Sequence, residues 1–580
     1  MSCWGDGVAE AASAQFESHF LRMVSRQTGA LEPDVRQVLR QLLQATITQH
    51  SCLPVASLDP TLIQKLRDHP IVGTELIKKP IILHHDKLYL AKFFEVEKEV
   101  AERISAKNHA QPVADIQRLA VQLDARFGDE PGNQQKLAAL LATTRNLAII
   151  TGGPGTGKTS TVVKILSILL ENQPGLEIRL AAPTGKAAMR LAESLRSSDF
   201  AQGNGGSQMK DMDVVTLHRL LGMRRDGRSW RHGEDNPIQA EVLVVDEASM
   251  IDLFMMHRLL RALHPDTRLI LLGDPNQLPS VETGNVLADL CAGNSAGDGG
   301  FSPAFSTMAE PIVGPVTTSQ STHNLTDSLC ELKKSYRFEP DSGIGQLASQ
   351  IQQGESRFQA SSDGSVQMEL DPEMTGSSFL AYWKHYTQLL SEGETNDLVL
   401  LHAFDETRVL CSHRAGADGV ISVNSMIEAT LEQLQLKKKD EAFYPGRPIL
   451  ITHNDYNLGL FNGDIGVCVP HTQPDQYLVV FPGGKYLASR LPEHETCFAM
   501  TVHKSQGSEF EQVVLLLSDE ATEDAENLIT KELLYTAVTR AKKSITLLSS
   551  ESRWQSAVNR SSARVSGMAS FLGIDRKRDR

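Results

Sequence analysis

The chain has no apolar run near the ~20 residues that a bilayer-spanning helix needs. Its first residues, Met1-Ser2-Cys3-Trp4-Gly5-Asp6, lack the basic flank and apolar centre of a secretory signal. Both absences lead to the expectation of a cytoplasmic protein with no membrane partner. Cysteine is sparse and scattered. The seven residues Cys3, Cys52, Cys291, Cys330, Cys411, Cys468 and Cys497 form no C-x-x-C pair, so neither a disulfide framework nor a zinc site is suggested, and reduced packing thiols are expected. No segment repeats at a fixed period. The net charge of −14 argues against a protein that coats nucleic acid with its whole surface, but leaves room for a local basic groove.

What is present is a long globular chain, 580 residues at 41% hydrophobic, enough for several cores and three or four domains. The most informative run is Gly152-Gly153-Pro154-Gly155-Thr156-Gly157-Lys158-Thr159, a complete G-x-x-x-x-G-K-T. It follows an apolar strand at 147–150 and precedes an apolar helical stripe through Val162, Val163, Ile165, Leu166, Ile168 and Leu169, the order a phosphate-binding loop requires. Its glycines let backbone amides curl around an anion at a helix N-terminus. Lys158 is placed to reach the β/γ-phosphates of ATP, and Thr159 to ligate magnesium.

A second apolar strand, 242–245, ends in Asp246-Glu247. Asp246 suits the magnesium shell, and Glu247, on the following turn, suits polarisation of the attacking water. A third strand, 269–272, ends in Gly273-Asp274-Pro275-Asn276-Gln277, where Gln277 offers both donor and acceptor to register the γ-phosphate. Between these elements, segments 182–188 and 216–221 carry Pro183, Thr184, Lys186 and His218. Hydroxyls, amides and single cations there suit sugar-phosphate contact without base specificity, or ordinary helix capping. The second half repeats this logic without a second phosphate loop, which argues for two motor domains sharing one nucleotide. Arg337 and Arg540 are each either an arginine reaching across a cleft to the γ-phosphate or a structural ion-pair residue. The segment 499–510, with Thr501 and His503, has the small polar donors of a loop linking nucleotide to a nucleic-acid strand.

The ordered set GGPGTGKT at 152, APTGKAA at 182, TLHRLLG at 216, VDEASM at 245, GDPNQLPSVE at 273, SYRF at 335, FNGDIGV at 461, TVHKSQGSEF at 501 and YTAVTRA at 535 resembles a superfamily-one helicase, in detail the RecD family, the alpha subunit of the bacterial RecBCD complex. The match covers roughly residues 130–550. The resemblance implies an α/β fold with two RecA-like motor cores on parallel sheets. Three divisions follow: a helical partner-docking domain at 1–115, a first core at 116–325 with a hairpin insertion near 222–237, and a second core at 326–580 with a small inserted β-barrel near 440–492. It implies ATP and Mg2+ as cofactors, Gln135 reading adenine, Gly152, Gly153, Pro154, Gly155, Thr156, Gly157 and Ser160 around the phosphates, and Glu509 joining the nucleotide. It further implies 5′ to 3′ movement on DNA, RecB-like and RecC-like partners in a heterotrimer, and a role in double-strand break repair. Residues 1–110 show no helix-hairpin-helix repeats, which favours the complex-bound form over the stand-alone one. No compact carboxylate cluster outside the ATP site suggests a nuclease, so the chain reads as the motor only. A stand-alone translocase without an associated nuclease is the alternative reading.

Two further features stay open at this stage. The stretch 221–237, with Arg224, Arg225, Arg228 and Arg231 around Trp230, reads either as a basic aromatic hairpin touching nucleic acid or as a solvated loop. Segments 197–208, 293–324 and 361–365 read as loops or linkers, and the basic end at 576–580 as a solvated tail.

Overall fold

The computed structural model describes residues 6–197, 206–224, 226–295, 300–319, 323–338, 342–370, 375–394, 396–455, 457–473, 476–517 and 528–574. Cys3, Arg225 and the basic end at 576–580 lie outside the described residues, as do parts of the segments 197–208 and 293–324.

The N-terminal region is built on helices Asp6–Thr28, Pro33–Ile47, Pro60–Asp68 and Ala91–Lys107. In the second of these the periodic residues Val35, Val38, Leu39, Leu42 and Leu43 form the buried face, as their spacing requires. The region also holds a four-stranded sheet of β1 (Leu53–Pro54), β2 (Val72–Gly73), β3 (Ile81–His84) and β4 (Lys87–Leu90), in the order β1-β4-β3-β2. Strands of two to four residues leave too short a pattern to stand out against helical periodicity.

Next come β5 (Leu147–Gly152), β6 (Ile178–Ala182), β7 (Val214–Thr216), β8 (Val242–Val245), β9 (Arg268–Gly273) and β10 (Leu329–Leu332), a six-stranded parallel sheet in the order β10-β5-β9-β8-β6-β7. Alternate residues of β5, β8 and β9 enter two different apolar clusters, one on each face: Ala148, Ile150, Val242, Val244, Ile270 and Leu272 join one, while Leu147, Ile149, Leu243, Val245, Leu269 and Leu271 join the other. That is why these strands read as unbroken apolar runs. The edge strand β10 lies beyond residue 325, so this core reaches further along the chain than the expected division.

Beyond it the chain lays down β11 (Val366–Glu369) and β12 (Thr407–Cys411), then an antiparallel excursion of β13 (Pro448–Ile451), β14 (Ile465–Pro470), β15 (Tyr477–Phe481), β16 (Gly484–Leu487) and β17 (His494–Thr496). It returns with β18 (Ala499–Thr501), β19 (Phe510–Leu516) and β20 (Ala541–Leu548). The second parallel sheet has the order β11-β20-β19-β12-β18, and the excursion the order β16-β15-β14-β13-β17 around its own small cluster of Ile449, Ile451, Leu460, Cys468, Val479 and Phe481. The excursion stands where a barrel was expected, and its strand order is linear, with β16 and β17 as its ends.

Two segments depart from the sequence reading. Within 293–324 lies a helix, Pro303–Val313, capped by Ser302 and burying Phe305, Ala309 and Val313 in the first core. Flanking glycines and serines concealed it. Within 326–580, residues 563–574 leave the second core after helix Glu551–Asn559 and cross back to the first core and the N-terminal region. Arg564 donates to Gly284 O at 2.7 Å, Ser280 O at 2.5 Å, Glu282 O and Gln49 Oε1. Ser51 N donates to Val565 O at 3.1 Å, and Gly567 N to Glu97 Oε2 at 3.0 Å. Met568, Ala569 and Leu572 are buried in the first core.

Candidate active site

Parallel strands place their carboxyl ends along one edge of a sheet, and the first core carries its chemistry there. At the end of β5 the chain turns through Gly155 (φ 76°) and Gly157 (φ 81°), left-handed positions that strain any other residue, and enters helix Lys158–Asn172. Lys158 Nζ donates to Gly152 O at 2.6 Å and Gly153 O at 3.0 Å, which holds the ammonium inside the loop. Thr156 Oγ1 donates to Gly153 O at 2.8 Å, Ser160 Oγ to Gly157 O at 2.9 Å, and Gln135 Nε2 to Thr156 O at 2.9 Å. Gln135, far from the loop's centre in sequence, is therefore fastened to it.

β8 delivers Asp246 and Glu247, and Glu247 has left-handed backbone (φ 52°, ψ 42°), which costs a non-glycine residue of order 1–3 kcal/mol. That turn lets Glu247 N donate to Asp246 Oδ1 at 2.8 Å. Burial first, and the neighbouring Glu247 second, raise the Asp246 carboxyl above its usual range, while Lys158 and Arg190 oppose the rise. The Asp246 carboxylate at the end of β8 and the Thr159 hydroxyl at the start of helix Lys158–Asn172 are hard oxygen donors, the kind that suits a divalent cation.

After β9, Asp274 accepts from Asn276 N at 3.0 Å, Gln277 Nε2 at 3.2 Å and the second core's Tyr535 Oη at 3.0 Å. The second core contributes more. Ser335 Oγ donates to Pro154 O at 3.4 Å and Tyr336 N to Gly155 O at 2.7 Å, which sets Arg337 against the phosphate loop. Arg337 Nη2 donates to Glu509 Oε1 at 2.5 Å, and Arg190 of the first core donates to the same oxygen at 3.3 Å. Burial opposes the charge of Glu509, but Arg337 and Arg190 outweigh it, so its carboxyl lies below the usual range. Arg540 is buried, donates to Thr536 O at 3.0 Å and Ser508 O at 3.2 Å, and has its pKa lowered by burial against the pull of Glu247 and Glu509. Lys158, Asp246, Glu247, Gln277, Arg337, Glu509 and Arg540 thus belong to one cleft between the cores. Arg190 is a member that sequence reading missed; it lies one helical turn beyond Lys186 inside an ordinary amphipathic helix, Gly185–Arg196.

The residues assigned to nucleic acid also sit at strand ends. Pro183 and Thr184 follow β6, and Thr184 Oγ1 caps helix Gly185–Arg196 by accepting from Ala187 N. Lys186 is half-buried, its pKa pushed down to about 8 by burial, Arg190 and Arg408, while Asp405 and Asp464 pull the other way. It faces the second core, not an open basic groove. Next to it a Cβ built on Gly185 would lie 2.8 Å from the Phe461 ring, so the two cores meet closely here. His218 follows the Thr216 cap and lies 5.8 Å from Trp230, ring to ring. Trp230 also takes Arg258 over its face at 4.9 Å and packs on the first core, so the hairpin's aromatic turns inward, while Arg224, Arg228 and Arg231 are exposed. Thr501 ends β18 and accepts from Lys504 N at 3.3 Å; His503 is half-buried, with its pKa lowered by burial. Because Cys411 pairs with Thr501, the loop 412–419 after β12 stands beside them. Its Arg414 shares Glu495 with Lys504, both at 2.7 Å. That loop was missed, since it carries no run of cations.

The match with known proteins follows the same layout. Residues 135–283 match the family model described as an AAA domain, and residues 496–548 the one described as a UvrD-like helicase C-terminal domain. The RecBCD enzyme subunit RecD of Mycolicibacterium smegmatis is 36% identical over 87% of this chain and 85% of its own length. That of Haemophilus influenzae is 34% identical over 85% and 81%. The chain belongs to the RecD family. ATP use goes with the first matched domain, which spans the phosphate loop, both acids and Gln277. The ATP-dependent RecD2 DNA helicase of Deinococcus radiodurans is 29% identical over 82% of this chain and 57% of its own length, a lower likeness than that of these two RecD subunits. Among solved structures, the Bacteroides Pif1 helicase in complex with ADP-AlF3 and ssDNA aligns with a TM-score of 0.39 and 19% identity over 73% of this chain and 93% of that one, too loose a match to bear on function. No helix among the described residues is long and apolar enough to cross a membrane.

Proposed function

We propose that this RecD-family chain is the ATP-driven DNA helicase subunit of a RecBCD-type helicase-nuclease in double-strand break repair, working in the cytoplasm with RecB-like and RecC-like partners and moving 5′ to 3′ along single-stranded DNA. The observation that carries the reading is the cleft: the phosphate loop and acids of one core face Arg337, Arg540 and Tyr535 of the other. Thr159 and Asp246 would hold magnesium, which would supply charge neutralisation to the phosphates. Lys158 and the loop amides orient the phosphates, Glu247 takes the proton of the attacking water, and Arg540 and Arg337 meet the charge that develops on the γ-phosphoryl group. For Arg337 this requires exchanging Glu509 for phosphate, which frees Glu509 to meet the nucleotide. Hydrolysis then depends on closure, and contacts around Thr184, His218 and Thr501 alternate their grip on the strand. Residues 1–115 form the docking unit, 116–332 the first motor, and 333–562 the second. Exonuclease activity is assigned to the assembly, not to this chain.

The test is unwinding of duplexes with a 5′ or a 3′ single-stranded tail, with Lys158→Gln as control. Unwinding from the 5′ tail alone is expected, with hydrolysis in Lys158→Gln reduced at least ~1000-fold at unchanged melting temperature. Normal hydrolysis by that variant would sink the site assignment, and unwinding from the 3′ tail alone would reverse the polarity.

A further inference from the structure

Gln277 belongs to the first core by sequence, but the side chains that hold its loop come from the second. Tyr535 lies on helix Lys531–Val538, is buried, and donates through Oη to Asp274 Oδ2 at 3.0 Å. The same oxygen accepts from Gln277 Nε2 at 3.2 Å, and Oδ1 accepts from Asn276 N at 3.0 Å. One carboxylate therefore couples the Tyr535 hydroxyl to the Gln277 amide. That hydroxyl also lies against the phosphate loop, since a Cβ built on Gly153 would fall 2.9 Å from it. One residue along, Thr536 Oγ1 accepts from Leu278 N at 2.8 Å, and Gln506 Nε2 donates to Leu278 O at 3.0 Å. The Leu278 side chain is buried in the second core's cluster. From Asp274 to Leu278 the loop is thus gripped across the cleft.

We propose that Tyr535 is a positioning residue for ATP hydrolysis: its hydroxyl fixes the Asp274 carboxylate, which orients Gln277 toward the γ-phosphate and the attacking water only while the cores are together. A carboxylate accepts and never donates when ionised, so Gln277 bonded through Nε2 is left with its amide oxygen free to turn toward the nucleotide side. Burial beside Asp274 holds the Tyr535 phenol well above its ordinary pKa, so it remains a donor at neutral pH. Separation of the cores withdraws Tyr535, Thr536 and Gln506 together and releases the loop. A ring that merely filled space would do as well without its hydroxyl, and that difference is measurable.

The inference rests on the ATPase reading above and is tested on the full chain with single-stranded DNA. Tyr535→Phe is expected to lower kcat for ATP hydrolysis roughly 10- to 100-fold, with KM for ATP within about twofold and an unchanged melting temperature. Combining it with Gln277→Ala is expected to cost no more than about threefold beyond the worse single variant, because both break one chain of contacts. Asp274→Ala is expected to match Tyr535→Phe, while Asp274→Asn, which keeps an acceptor for the hydroxyl, retains at least about a third of kcat. This pair replaces Tyr535→Phe if that variant melts early. A wild-type kcat in Tyr535→Phe or Asp274→Ala, or losses that multiply in the double variant, overturns the inference. A wild-type chain without DNA-stimulated hydrolysis overturns the ATPase reading and the inference with it.

Discussion

Two of the junctions between the second core and the rest of the chain differ in chemistry. At the cleft the contacts are polar and shared: Glu509 lies between Arg337 and Arg190, Leu278 between Thr536 and Gln506, and Asp274 between Gln277 and Tyr535. At the tail, Arg564 is wrapped by carbonyl oxygens while Met568, Ala569 and Leu572 are buried. A polar contact has alternatives in phosphate oxygen or water, so exchanging it changes little, about 1 kcal/mol. Buried apolar surface has no alternative and holds at about 25 cal/mol per Å2. In the proposed mechanism the cleft is the joint that opens and the tail is the clasp that stays.

The largest break in that comparison comes from Arg540→Ala. Removing the buried cation that faces Glu247 and Glu509 is expected to lower hydrolysis about 1000-fold while ATP binding stays within severalfold, read by phosphate release and by nucleotide titration. Equal loss of binding and hydrolysis would make Arg540 structural only.

At the tail the expected effect is on stability and depends on pH. Glu97 is 1% exposed, with its pKa pushed up to about 7 by burial and by Asp289, against hydrogen bonds from Ser51 and Gly567. Between pH 4.5 and pH 7 the unfolded chain has lost this proton and the folded chain has kept it, so stability falls as pH rises. Relative to Glu97→Gln, the wild type is expected to lose up to about 3 kcal/mol across that window in urea melts at a series of pH values. Parallel curves for the two proteins would show that burial does not keep Glu97 protonated in the folded chain.

The smallest effect sharpens the cleft side. Arg190 is partly exposed, so Arg190→Gln is expected to change DNA stimulation of hydrolysis by only about three- to fivefold, the scale of a ~1 kcal/mol surface pair. A change beyond about 100-fold would make Arg190 a principal cleft residue.

What could be read in advance was chemistry that is local in sequence. Lys158, Asp246, Glu247 and Gln277 each follow an apolar strand within a few residues, so the strand announces the site. Arg540 and Glu509 came from motif order. Arg190 and the loop 412–419 were hidden because nothing beside them in sequence marks them. The helix Pro303–Val313 was masked by its flanks, and the inward packing of Trp230 could not be read because hairpin composition does not say which face turns inward. The tail was illegible for a simpler reason: Gly567 meets Glu97 across 470 positions, and Val565 meets Ser51 across 514.

Those separations fix an order of events on the ribosome. The N-terminal region and the first core emerge well before residues 563–574, at roughly 5–20 residues per second, so for tens of seconds Ser51, Glu97 and the carbonyls of 280–284 stand without the groups that later satisfy them. The clasp closes only when nearly the whole motor has been made. Completion of the second core is thereby recorded in the fold of the first.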